Sequence, residues 1–395
     1  MGNGWNIKGA KKFSKMIDTI INKLENKGCI FTKQEKEQLK KLSLKSHEIL
    51  IEDLKKIATK YLDNEKFGVN NISIGIFVKD IKDIIEIPKV KEIKLFDIAS
   101  ITKLFTLKIY YDLEKQKLIN NNKYVKNMLP FKYMDDCKVI DIIKMRNKIE
   151  TTGKLSETKN QLDFTKRLYT AKYTKNDESV YTDIGFIILS EIIREQINKS
   201  NKKNETYKTI LNRYLLKNLK LKNTKFVPVG NYKILGNGNH GNLPHDPKTR
   251  INHGYSGAAG LFSNVEDFIE IANKIFNYSF FDKNYLNKIF KYYFLDEKNR
   301  KRSYSGMYLK TDNNDNCYIP NTFSKLSIAH QGYTGSIVVY DFYTKIHFSI
   351  FVDAINKETD LKSKDFFLYL HKLKNIVGLY CIAIYMSICQ KQCKL

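Results

Sequence analysis

The chain has 395 residues, 42 % hydrophobic and 12 % aromatic, which excludes a disordered protein and leaves room for one large domain or two ordinary ones. Its formal net charge of +26 points either to an anionic partner or to a compositional bias. The lysines are spread along the whole chain, and Pro (6) and Trp (1) are scarce, so bias is the preferred reading and no nucleic-acid partner is expected.

Residues 1–46 read as a basic helical extension, with Met16, Ile17, Ile20, Ile21 and Leu24 at helical spacing. No apolar run follows the basic start, so no secretory signal is expected, and position 6 is Asn6 where myristoylation needs Ser or Thr. The expected location is therefore cytoplasmic or membrane-associated. A second helix is predicted from Glu48 to Leu62. Ile72 to Val78 reads as a strand and Ile84 to Val90 as its hairpin partner. Ser100 opens an apolar helix reaching about Leu118. Residues 121–320 are mostly helical patterns joined by polar loops, with Ile184 to Ile197 the clearest helix and Gly236 to Gly260 a long loop. Strand-like runs return at Leu326 to His330, Ser336 to Tyr340 and His347 to Val352, and a helix is predicted over Leu361 to Lys374. Strands at both ends with helices between them predict an α+β fold: an antiparallel sheet flanked by helices, with an inserted, mostly helical subdomain. The main domain spans 47–376, with sheet parts at about 47–120 and 321–376.

The tail, 377–395, is apolar. Ile376 to Cys389 is about 14 residues, roughly 21 Å as a helix against a hydrocarbon core of about 30 Å. Packing on the domain or a partner is preferred over weak membrane association through 376–395, and over spanning. The six cysteines, Cys29, Cys137, Cys317, Cys381, Cys389 and Cys393, form no C-x-x-C pair and lie at no zinc spacing with His, so neither a metal, another cofactor nor a disulfide framework is expected.

The chemistry-bearing residues fall in three segments. Ser100-Ile101-Thr102-Lys103 is an S-x-x-K pattern, which on a helix puts the ammonium within reach of the hydroxyl. Lys103 beside Leu104, Phe105 and Leu107 is expected to lose proton affinity by desolvation and to serve as a base. The plain alternative for Ser100 is a helix N-cap. Tyr181-Thr182-Asp183 leads into an apolar helix, where Asp183 either pairs with Lys103 or caps the helix. His330-Gln331-Gly332-Tyr333-Thr334-Gly335 lies between two strand candidates.

With Phe96-Asp97-Ile98-Ala99 before Ser100, these segments resemble, in sequence and order, the three motifs of the serine β-lactamase and penicillin-binding-protein superfamily, closest to its esterase-like and D-amino-peptidase-like members. Ser256-Gly257-Ala258-Ala259-Gly260-Leu261-Phe262-Ser263 and Leu243-Pro244-His245-Asp246 add to the resemblance, which covers about 48 to 376. Lys144-Met145-Arg146-Asn147-Lys148-Ile149 departs from it, where relatives carry His-Thr-Ser-Gly-Leu beside the site. The resemblance implies a β-lactamase/transpeptidase-like fold and acyl transfer to a serine. Ser100 is then the nucleophile, either Lys103 or Tyr181 takes its proton, and the N–H groups of Ser100 and Tyr333 hold the oxyanion. Asp183, His330 and Gly332 border the substrate. His330 stands where relatives hold a substrate carboxylate with Lys, and a neutral imidazole is a poorer anchor, which favours esters or D-amino-acid amides over β-lactams. Of the other histidines, His240, His245 and His253 are candidates for touching substrate, and His347 is expected to be packed. The expected partner is a small-molecule or peptide substrate. The alternatives are a catalytically silent relative that binds a ligand, a true β-lactamase or D,D-carboxypeptidase, and an anionic-surface binder resting on charge alone.

Overall fold

The computed structural model describes residues 7–62, 68–175, 180–311, 318–355 and 364–392. Its centre is an antiparallel sheet of eight strands, in the order Ile81–Ile87, Ile72–Val78, Ile346–Val352, Ile337–Asp341, Ser327–Gln331, Tyr308–Leu309, Lys301–Arg302 and Phe294–Leu295. The first and last parts of the chain meet in the middle of it, where Ile72 lies opposite Val352 and Val78 opposite Ile346. Ile72–Val78 is buried along its whole length, because helices cover both faces of the sheet.

Period-two alternation sorts these strands between two cores. On one face Ile72, Ile74, Ile76 and Val78 join Ile346, Phe348, Ile350 and Val352 beneath the terminal helices. On the other, Phe77, Val338, Tyr340 and Phe351 pack toward the helical part. Gly75 marks a close approach there, since a Cβ would come within 2.9 Å of Val265 on the helix Val265–Phe276.

The outer layer comes from both ends of the chain. Helices Ile7–Glu25 and Lys33–Leu42 bury Ile17, Ile21, Leu24, Leu39 and Leu42 in the same cluster as Leu370, Leu373, Val377 and Ile384. Thr32 and Glu35 close a capping box at the start of the second helix. The C-terminal segment is one continuous helix, Lys364–Gln392, which does not stop at Lys374 as the sequence suggested. At Gly378 the helix passes so close to the loop before the sheet that a Cβ would strike the Pro320 ring. By length and composition Leu368–Gln390 is apolar enough to cross a membrane, at mean hydropathy 1.3, yet 72 % of its most apolar window is buried inside the fold. Its apolar side chains are taken up by the sheet and by helix His47–Leu62.

A second sheet of four strands, Lys225–Phe226, Leu261–Ser263, Ile93–Asp97 and Tyr232–Leu235, was not foreseen around Ile93–Asp97. Neither were the short strands between 294 and 309, which fall in the stretch read as helical: two-residue strands carry no alternation to detect. Helices Thr102–Lys115, Asp183–Asn201, Tyr207–Lys217 and Val265–Phe276 form the body of the other half. The first of these is buried on nearly every side through Leu113, with the polar Thr102, Lys103, Thr106 and Lys108 enclosed along with its apolar residues. The fold is α+β.

Candidate active site

Strand Ile93–Asp97 ends one turn before Ser100. It pairs with Leu261–Ser263, with Phe96 opposite Ser263 and Asp97 opposite Phe262. The main chain then enters a 3-10 turn, Ala99–Ile101, which continues into helix Thr102–Lys115. Ala99 sits at φ +43°, a left-handed conformation uncommon for a residue with a Cβ. No side-chain cap bond is made at either helix start, so Ser100 is not the N-cap that the plain reading allowed.

Lys103 is fully buried, and its Nζ has three acceptors: Ser100 Oγ at 3.0 Å, Asp183 Oδ1 at 2.7 Å and the Ala258 carbonyl at 3.1 Å. Three acceptors match the three protons of an ammonium. Burial works to strip its charge, but Asp183 and Tyr181 outweigh burial and hold the Lys103 pKa above its ordinary value. The expectation of a desolvated lysine with reduced proton affinity is thereby corrected, because that reading took account of the apolar neighbours and not of Asp183.

Asp183 is free for this role because Thr182 caps helix Asp183–Asn201, its hydroxyl accepting from the Ile184 N–H at 3.2 Å. The carboxylate also meets Lys248 Nζ at 3.2 Å, and Lys248 pairs with Asp246 at 2.8 Å. Burial alone would raise the Asp183 pKa, but Lys103 and Lys248 together hold it well below the usual carboxylate range. The Tyr181 ring lies between two cations, with Lys103 Nζ 4.9 Å and the Arg302 guanidinium 4.5 Å from its centroid. Gly306 closes against that ring, leaving no room for a Cβ.

His330 is 3 % exposed, with Nδ1 3.1 Å from the Gln331 carbonyl and Nε2 3.1 Å from that of Ser305. Burial, aided by Lys103 and Arg302, lowers its pKa to about 3, so the ring is neutral: both nitrogens face main-chain carbonyls, and the one that carries the proton donates. Gly332 passes over the nucleophile turn so closely that a Cβ would lie 2.6 Å from the Ile98 carbonyl oxygen. Tyr333 is half exposed and stacks on His245, with ring centroids 5.6 Å apart. All of these, with Ser100, Tyr181 and Asp183, line one cleft of about 540 Å³. His240 and His253 do not line it, and His347 is packed on Tyr340 with Nδ1 on the Val339 carbonyl. A larger hollow of about 840 Å³, between Tyr124, Asp136 and Tyr173, contains none of these groups.

Sequence reasoning passed over one carboxylate. Asp97 is 1 % exposed; its Oδ1 accepts from the Ala99 N–H at 2.9 Å and its Oδ2 from the His245 N–H at 2.7 Å. Its carbonyl accepts the Thr334 hydroxyl at 2.5 Å. One residue therefore ties the turn before Ser100 to the His245 loop and to the segment carrying Tyr333. Burial raises its pKa to about 7 against the pull of those two N–H bonds.

The model of the beta-lactamase family matches residues 74–365, most of the chain and all of this cleft. The chain belongs to the beta-lactamase family. No curated protein matches it by sequence. Solved structures with the same beta-lactamase-type fold include an octameric penicillin-binding protein homologue from Pyrococcus abyssi, at TM-score 0.61 and 14 % identity, covering 83 % of this chain and 77 % of that one. A D-amino acid amidase from Ochrobactrum anthropi SV3 in complex with L-phenylalanine amide superposes at TM-score 0.59 and 15 % identity, covering 85 % and 98 %. EstCE1, a hydrolase with promiscuous acyltransferase activity, superposes at 0.63 and 12 %, covering 83 % and 99 %. In this member of the beta-lactamase family Ser100, Tyr181, Asp183 and the His330–Tyr333 segment line one cleft, with Lys103 buried behind Ser100.

Proposed function

We propose that this member of the beta-lactamase family is a serine hydrolase acting through an acyl-enzyme on esters or D-amino-acid amides. The observation that carries this reading is the Ser100 hydroxyl held 3.0 Å from a buried ammonium at the floor of the cleft. Lys103, protonated and donating to Ser100 Oγ, lowers the cost of forming the alkoxide but has no free lone pair with which to take its proton. The Tyr181 hydroxyl, its ring against Lys103 and Arg302, is then the relay that takes up the Ser100 proton as Oγ bonds to the acyl carbon and hands on a proton in exchange. That proton goes to the leaving oxygen or nitrogen, and water, deprotonated by the same route, attacks the acyl-enzyme. The N–H groups of Ser100 and Tyr333 face no turn or cap acceptor among the described residues, which leaves both for the tetrahedral oxyanion.

The substrate class follows from His330. A neutral ring with both nitrogens turned to backbone carbonyls offers nothing to a carboxylate on that side, so aryl esters and D-alanyl anilides are expected to turn over faster than a chromogenic cephalosporin. The D-amino acid amidase and EstCE1 lie within this range of acyl chemistry. The decisive test is labelling by a fluorophosphonate. The wild type is expected to label and Ser100→Ala to stay unlabelled with unchanged melting, whereas labelling of the Ala variant at the wild-type rate sinks the nucleophile assignment.

A further inference from the structure

One wall of the cleft is made by residues that the acyl chemistry does not use. It is the edge of the main sheet around strand Lys301–Arg302, carrying Lys298, Arg300 and Arg302. The two guanidiniums share one carboxylate, Asp296, to which Lys298 gives only its main-chain N–H. Asp296 Oδ2 meets Arg300 Nη2 at 2.7 Å and Arg302 Nε at 2.9 Å, while its Oδ1 accepts the N–H groups of Lys298 and Arg300, both at 3.0 Å. Among the described residues no other acidic side chain pairs with any of them. On the opposite wall charge is balanced, Lys103 and Lys248 facing Asp183 and Asp246. The surplus positive charge of the cleft is therefore on the Arg300 side.

The two guanidiniums are rigid. Arg302 is clamped between the Tyr181 and Tyr308 rings, 4.5 Å and 4.2 Å from their centroids, and donates to the Tyr308 hydroxyl and to the Gly306 carbonyl. Arg300 lies over Tyr308 and Tyr318, at 5.3 Å and 5.6 Å, and spends its Nε and Nη2 on Asp296, which leaves Nη1 with no acceptor among the described residues. The side chains of Arg300, Arg302 and Asp296 are all about nine-tenths buried. Two buried guanidiniums against one carboxylate leave an uncompensated charge beside the nucleophile, which is costly unless a ligand completes it. A guanidinium fork fixed by aromatic stacking is suited to a carboxylate or phosphate oxygen pair.

We propose that the cleft takes an anionic acyl substrate, a compound whose carboxylate or phosphate group docks on Arg300, Arg302 and Lys298 while its acyl carbon meets Ser100. This rests on the hydrolase reading above and narrows it. The anion is read on the Arg300 side of Tyr181 and not at His330, so the inference is independent of the histidine's neutrality.

The test compares three 4-nitrophenyl esters: the neutral valerate, the glutarate mono-ester and its phosphonate-tipped analogue. The enzymes are the wild type and the double variant Lys298→Gln, Arg300→Gln. Neither position has been placed in the catalytic machinery, and Asp296 keeps Arg302 as partner in the variant. In the wild type kcat/KM for an anionic ester is expected to exceed that for the valerate by about tenfold or more, through KM, the scale of one charge-assisted hydrogen-bonded pair. In the double variant that ratio falls to within twofold with valerate kinetics unchanged, while melting stays cooperative and drops by several degrees as Arg300 gives up Asp296 and its two tyrosine rings. Preference for the phosphonate over the glutarate assigns a phosphate substrate, and the reverse a carboxylate; either sustains the proposal. Equal kcat/KM for neutral and anionic esters overturns it, as does a selectivity that survives in the variant. If no ester turns over, the hydrolase reading is what fails. The wall is then read by calorimetry, where glutarate or phenylphosphonate must bind the wild type and lose about tenfold in the variant, and absence of that binding overturns the proposal on its own.

Discussion

Replacing Gly332 by Ala isolates the distance between the two halves of the site. Gly332 is outside the positive-φ set, so alanine meets no torsional penalty there and its effect is steric. The new methyl is placed 2.6 Å from the Ile98 carbonyl oxygen and 3.2 Å from its carbon, where ordinary contact begins at 3.4 Å. Both partners are main chain, so either the Gly332–Tyr333 segment or the turn at Ile98 must move by about 0.8 Å, the difference between those two distances. The Ile98 carbonyl accepts from the Ile101 N–H at 3.0 Å, so movement there is passed to Ser100, and movement on the other side widens the gap to the Tyr333 N–H. A misplacement near 1 Å costs about 10²-fold in turnover, and an overpacked methyl about 1–3 kcal/mol of stability. The expected result is a loss of about 30- to 100-fold in kcat on an aryl ester and in the phosphonate labelling rate, with melting lowered by several degrees. Turnover within threefold of wild type would show that the oxyanion site does not depend on this approach.

Tyr181→Phe removes a hydroxyl and keeps the ring between Lys103 and Arg302, so melting should be near normal while turnover falls by about 10²- to 10⁴-fold; a loss under threefold reduces Tyr181 to packing. Asp97 titrates in the folded protein at about 7, above the ordinary 3.8 for a carboxyl, so its stabilising contribution is complete below about pH 4 and is lost as pH rises through 7. Denaturant midpoints of wild type and Asp97→Asn measured from pH 4 to 8 should show the wild type losing ground by a few kcal/mol, and a pH-independent difference contradicts this. Stopping the chain after Lys374 strips the sheet of Val377, Tyr380, Cys381, Ile382, Ile384 and Met386, all buried. At about 1.5–3 kcal/mol for each large apolar side chain this approaches or exceeds the whole stability of a domain, so the truncated chain should be insoluble or unfolded; a soluble, cooperatively melting, active product refutes it.

The parts of the site legible in the sequence were those set by short range. Ser100 and Lys103 are three residues apart on one helical turn, and Tyr181, Asp183 and His330 lie at the ends of apolar runs. The residues that went unread act through long-range pairs. Asp97 serves Ala99 two residues away and His245 far along the chain, and nothing in Phe96-Asp97-Ile98 distinguishes it from the polar end of a strand. Arg302 acquires meaning only when the sheet edge brings it onto Tyr181. Lys248 and Asp246 lie in a stretch read as a Gly- and His-rich loop, where helix Pro247–Ile251 sets them opposite Asp183. The C-terminal helix was divided at Lys374 because the residues beyond it read as a separate apolar tail. Lys374 is in fact buried beside His371, and the helix is apolar on nearly every side because it is enclosed.

The pairing of Ile72–Val78 with Ile346–Val352 also bears on synthesis. As the polypeptide leaves the ribosome, the segment Ile-Ser-Ile-Gly-Ile-Phe-Val emerges early and has only the hairpin partner Ile81–Ile87 on one edge. Its other edge stays open until residue 352 has been made. A flat, uncharged, β-branched edge left waiting for that long is a template for intermolecular pairing. Translation speed and holdase chaperones should therefore govern the yield of this protein more than its final stability does, and a circular permutant joining the two strands early should recover more soluble protein from the same message.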